Sequence, residues 1–149
     1  MGPPSRRIAV VVWTGMMVGP LLFALATLAA VPRADLRQPE LRGLFLWMSA
    51  AVVGLGVVVS RVLPPRVGPR GAGASRDALA FTRSVLGWAI AEGAVLFPLV
   101  ARLVTDDGRL LGLFALALAS LAALYPGEER WASLAVQTLP SRGGRRGGR

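Results

Sequence analysis

Long apolar runs without a charge alternate along this chain with short segments where arginine, proline and glycine collect. The first run extends from Ile8 to Val31, 24 residues, behind Arg6 and Arg7 and ahead of Pro32 and Arg33. The second, Gly43 to Ser60, has 18 uncharged residues between Arg42 and Arg61, and Pro64-Pro65 stops it. The third fills the 18 positions between Arg83 and Arg102 and carries one charge, Glu92. The fourth, Leu110 to Tyr125, has 16 residues between Arg109 and Pro126. A helix rises ~1.5 Å per residue, so ~20 residues cross a ~30 Å hydrocarbon core. The runs predict four membrane-spanning helices, at about 8–31, 43–63, 82–104 and 109–125. Residues 1–126 form the transmembrane domain on this reading.

Two of these runs need an energetic check. Ser84 to Ala101 holds eight Leu, Ile, Val or Phe residues, worth roughly −2.4 to −4.8 kcal/mol of insertion against about +3 for a central acid. The third helix is near break-even alone and is expected to insert with its neighbours. The fourth has eight such residues and no opposing charge, but at about 24 Å it is short, so Arg109 should snorkel to the interface. The first run exceeds the ~7–15 residues of a signal-peptide core, which favours a retained span over a cleaved leader.

The stretch 64–78 is rich in proline and glycine and reads as a flexible linker between two helical hairpins. Residues 127–149 read as a cytoplasmic tail, mostly disordered, with a short surface helix over Glu128 to Gln137 carrying Trp131, Leu134 and Ala135. The predicted fold class is all-α, an integral membrane four-helix bundle.

Composition sharpens the class. Apolar residues make up 54% and charged residues 17% of the 149, against ~25% charged in an average soluble domain. The chain has no Cys and no His. Disulfides, thiolate zinc sites, iron–sulfur clusters, His-ligated haem, and Cys or His catalysis are thereby excluded. No cofactor or metal site is expected, and no nucleophile–base pair suggests an enzyme. Asp106-Asp107 before Gly108 reads as a turn. All 17 basic residues are Arg, which suggests GC-rich coding and a bacterial source.

The arginines also orient the chain. Twelve lie in the N-terminus, the segment 61–83 and the tail; five flank the opposite ends of the spans. By the positive-inside rule both termini and the middle segment are cytoplasmic, in the inner membrane. The basic tail, with a net charge of +9 for the chain, suits anionic lipid headgroups. It lacks the interleaved aromatics that would point to nucleic acid.

Within lipid, helices associate through small residues at four-residue spacing. Gly15 and Gly19, Ala50 and Gly54, Ala89 and Gly93, and Ala115, Ala119 and Ala123 supply such sets. They predict helix contacts inside one bundle, with a homo-oligomer or another membrane protein as the alternative partner. Pro20 and Pro98 should kink the first and third spans.

Glu92 is the one ionisable residue well inside a span. Desolvation favours its protonated form, which would donate a hydrogen bond to Thr14, Ser49 or Ser120, or to a carbonyl freed by proline. An intramembrane acid is a candidate ion or proton carrier; a packing hydrogen bond is the plainer reading. The decapeptide Trp88-Ala89-Ile90-Ala91-Glu92-Gly93-Ala94-Val95-Leu96-Phe97 resembles the carboxylate-bearing helix of the ATP synthase proteolipid (c) subunit. Arg37-Gln38-Pro39-Glu40 is similar to that family's polar loop, although here it leads into the second span, which has no acid. The resemblance covers one helix and four loop residues, as in a bacterial four-helix family with a proteolipid-like third helix, and implies an ion-carrying Glu92. Two functions are therefore expected: a non-enzymatic accessory or interaction protein, or an ion- or proton-handling subunit.

Overall fold

The computed structural model describes residues 6–29, 38–66 and 75–136. Of the expected linker at 64–78, residues 67–74 lie outside the described residues, as do the tail beyond 136, Arg33 and Arg37, while its two ends join a 3₁₀ turn and the next helix. Five α-helices follow in order: α1 (Arg6–Ala29), α2 (Arg42–Val62), α3 (Arg76–Thr105), α4 (Arg109–Ala122) and α5 (Glu128–Val136). Short 3₁₀ turns at Pro39–Leu41 and Pro64–Arg66 bracket α2. Each contains proline, whose fixed φ suits a helix start and whose missing N–H ends a ladder.

Three helices, α1, α2 with its leading turn, and α3, are long and apolar enough to cross a membrane. At 14 residues, α4 is apolar but shorter. The third helix begins earlier than the apolar run implied, because Ser75 caps it: its hydroxyl accepts from the Ala78 N–H at 3.2 Å. With 30 residues, α3 is ~45 Å long and outreaches a bilayer core. Its first turns carry α5.

The arrangement is a hub rather than two equal hairpins. Helix α3 packs against α1, α2, α4 and α5, while α2 also meets α4. Helices α1 and α2 have little or no contact with each other. The expected hairpin of α1 with α2 is thus corrected: both dock on α3 instead. Half of the apolar window of α3 is buried, against 17% for α1 and 22% for α2. The core gathers around Trp88, Ala91 and Val95 of α3, with Val53, Leu121 and Leu124 against them. Pro20 and Pro98 are fully buried inside continuous helices.

Candidate functional site

Glu92 sits partly buried on α3, on the side that meets α1. Its Oε1 lies 3.7 Å from where a Cβ on Gly19 would stand, so the carboxylate rests against the α1 backbone just before Pro20. Glycine at 19 leaves room for that approach. The expected partners do not meet it. Thr14 donates instead to its own helix, to the Val10 carbonyl at 2.9 Å. Ser49 and Ser120 are buried, but neither hydroxyl has a hydrogen-bond partner among the described residues. Each was expected because it lies within a span, and depth within a span does not by itself bring a hydroxyl to the carboxylate. Glu92 itself makes no hydrogen bond among the described residues.

The small residues are also placed otherwise than expected. Gly15, Gly54 and Gly93 have open space where a Cβ would project. Ala89, Ala115, Ala119 and Ala123 are exposed, and Ala50 is half-buried. The close helix contact falls instead at Gly56, where a Cβ would stand 2.5 Å from the Ala94 Cβ. Gly87 is nearly as tight, 3.0 Å from the Ser60 carbonyl oxygen. Only the two residues without side chains let α2 and α3 approach this closely. A shallow apolar groove of about 250 Å³ runs beside Gly56, lined by Val52, Leu55, Val59, Ile90, Gly93 and Ala94. Glu92 lies on the far side of α3 from it.

A second cluster, at the end of the bundle where α1 and α3 begin, has no counterpart in the expected site. A helix leaves its last carbonyls without partners, and in lipid each unpaired one costs several kcal/mol. Every carbonyl from Leu121 to Gly127 finds a donor. Leu121 accepts from the Trp13 Nε1 at 3.2 Å and the Leu124 N–H. Ala122 accepts from the Tyr125 N–H, and Ala123 from the Arg130 Nη1 at 3.2 Å. Leu124 accepts from the Trp88 Nε1 at 2.9 Å. Tyr125 accepts from Gly127, Pro126 from the Arg6 Nε and Gly127 from Trp131.

The donors come from α1, α3 and α5, so one helix end ties the bundle together. Trp13 and Tyr125 add an edge-to-face contact at 5.0 Å. Arg6 pairs with Glu128 at 2.6 Å. Arg83, only 3% exposed, donates from Nη1 to the Leu134 carbonyl at 2.9 Å. Trp131 donates to Asp77. The sequence signal for this cluster was aromatic and basic residues near span ends, but apart from Arg130, seven positions from its acceptor, their partners lie 36 to 122 positions away.

At the opposite end Asp106 closes α3 in the left-handed region, φ 55°, its N–H on the Arg102 carbonyl at 2.7 Å. Asp107 accepts from the Arg109 guanidinium at 2.7 Å and from the Arg109 N–H at 3.0 Å. Those hydrogen bonds from Arg109 hold its carboxyl below the usual carboxylate range, against a smaller upward push from burial. Arg42 reaches from α2 to the Thr105 carbonyl at 3.1 Å. No family model, curated protein or solved structure matches the chain.

Proposed function

We propose that the chain is a four-span protein of the bacterial cytoplasmic membrane, with both termini in the cytoplasm. On this reading it serves as a non-enzymatic accessory or interaction protein. The supporting observation is a solitary Glu92 inside a bundle whose outer helices are apolar on nearly every exposed face. Val11 of α1 is 72% exposed and Trp47 of α2 is 77% exposed. Water tolerates such surfaces poorly and lipid tails tolerate them well. No second Asp, Glu, Lys or Arg stands near the middle of a span to pass an ion onward.

The second reading, an ion- or proton-handling subunit with Glu92 as carrier, draws on the carboxylate's place against Gly19 without a hydrogen-bond partner among the described residues. Carbodiimide labelling of the protein in its native membrane separates the two. The accessory reading expects an unreactive Glu92, and Glu92→Gln cells that grow as wild type. Selective modification of Glu92, together with a growth or ion-uptake defect in Glu92→Gln, would replace it with the carrier reading.

A further inference from the structure

Two arginines stand at the end of the bundle where the α4 carbonyls are tied off, one on α5 and one on α2. Arg130 folds back from α5 onto the C-terminus of α4, one of its nitrogens bonded to the Ala123 carbonyl. Arg61 stands exposed in the last turn of α2, which packs against both α3 and α4 and reaches this same end. The Ser60 carbonyl at Gly87 fixes the last turn of α2 against the part of α3 that lies one turn beyond Arg83, the anchor of α5.

Neither Arg61 nor Arg130 has a carboxylate within ion-pair distance among the described residues. Of the acids at this end, Glu128 pairs with Arg6 and Asp77 accepts from Trp131, while Glu129, next to Arg130 on α5, is exposed and makes no ion pair among the described residues. Burial first, and then the charge of Arg61, lower the basicity of Arg130, which nevertheless stays charged. Two like charges at one end of the bundle, one of them partly withdrawn from water and sensing the other, are stabilised by an anion that both can reach. Arg61 has every donor free of described residues, and Arg130 has all but one. Planar forks of this kind suit the several acceptor oxygens of a phosphate.

Given the membrane reading, on which this rests, the neighbouring Trp13–Tyr125 pair marks the interfacial depth where lipid phosphates lie. We propose that Arg61 and Arg130 form a site for the phosphate headgroup of an anionic phospholipid at the corner between α2, α4 and α5. Both arginines belong to the helices of the bundle.

Native mass spectrometry of the full chain in neutral detergent tests it, with phosphatidylglycerol and phosphatidylcholine as probes. Phosphatidylglycerol should be retained in preference. Arg61→Gln and Arg130→Gln should each weaken that retention about fivefold, the weight of one interfacial arginine, and leave phosphatidylcholine unchanged. Arg61→Lys should retain much of the preference. The double tail variant Arg145→Gln/Arg146→Gln should behave as wild type. Because Arg61 is exposed, its variant keeps the test decisive if Arg130→Gln unfolds. Equal retention of both lipids, wild-type retention by Arg61→Gln, or loss only in the tail variant would overturn the site. Displacement of phosphatidylglycerol by inorganic phosphate would overturn the lipid assignment in favour of a soluble anion. The membrane reading is checked apart from this, by whether the chain needs detergent to stay in solution.

Discussion

Single residues decide how closely the helices approach. A Cβ at Gly56 would overlap the Ala94 Cβ, and both belong to helix backbones that cannot swing aside. Gly54, two positions earlier, faces open space. Gly56→Ala should therefore destabilise the bundle by about 1–3 kcal/mol, the range for overpacking. Gly54→Ala should be neutral or slightly stabilising, since alanine is the better helix former. Melting in detergent, followed by tryptophan emission, measures both; similar melting temperatures for the two variants would show that the α2–α3 contact is looser than described. Sequence spacing favoured the Ala50–Gly54 pair over Gly56. In a span apolar all round, spacing alone offers several registers, and the facing side chains choose among them.

At the scale of an element, the turn between α3 and α4 is held by charge. Asp107 takes one of the backbone N–H groups that the first turn of α4 leaves open, and grips the Arg109 guanidinium as well. Its carboxyl titrates below its ordinary value of 3.8 in the folded state. Stability from a depressed carboxylate is fully present above the unfolded value and is lost as pH falls through the folded one. Wild-type protein should lose melting temperature steadily as the pH falls below the ordinary carboxylate value of 3.8. Asp107→Asn keeps an acceptor for the Arg109 N–H but has no charge to lose, so its curve should be flatter over that window. Parallel curves would remove Asp107 from the account of acid stability. The turn itself was legible, because two aspartates before a glycine favour one. Which aspartate caps which helix was not.

For the whole molecule, the central fact is that α3 holds everything else. Helices α1 and α2 lie on it without pairing to each other, and the carbonyls closing α4 recruit donors from three other helices. On the proposed topology the end with Arg6, Arg61, Arg83 and Arg130 is cytoplasmic. A reporter fused after Arg149 should be active inside the cell, and a cysteine placed at Gly108 should react with an impermeant reagent added outside. Labelling at Gly108 only after the cells are opened, together with a reporter that is inactive inside the cell, would invert the topology. Both sites on the same side would remove a span, and α4, at 14 residues, is the one to lose.

Uncharged runs and the arginines between them marked the all-helical class and three helices long and apolar enough to cross a membrane; the fourth run forms a shorter apolar helix, α4. Transfer free energy sums over residues and does not depend on what they touch. Glu92 was visible for the same reason, as a charge inside an apolar run. The tertiary structure alone decided the neighbours: Gly19 beside Glu92, Gly56 against Ala94, and Trp88 on the Leu124 carbonyl. Helices without a polar face carry no mark of which side turns inward. Their rotation and order are set by shape and by the need to pair every backbone carbonyl, and both are properties of several helices at once.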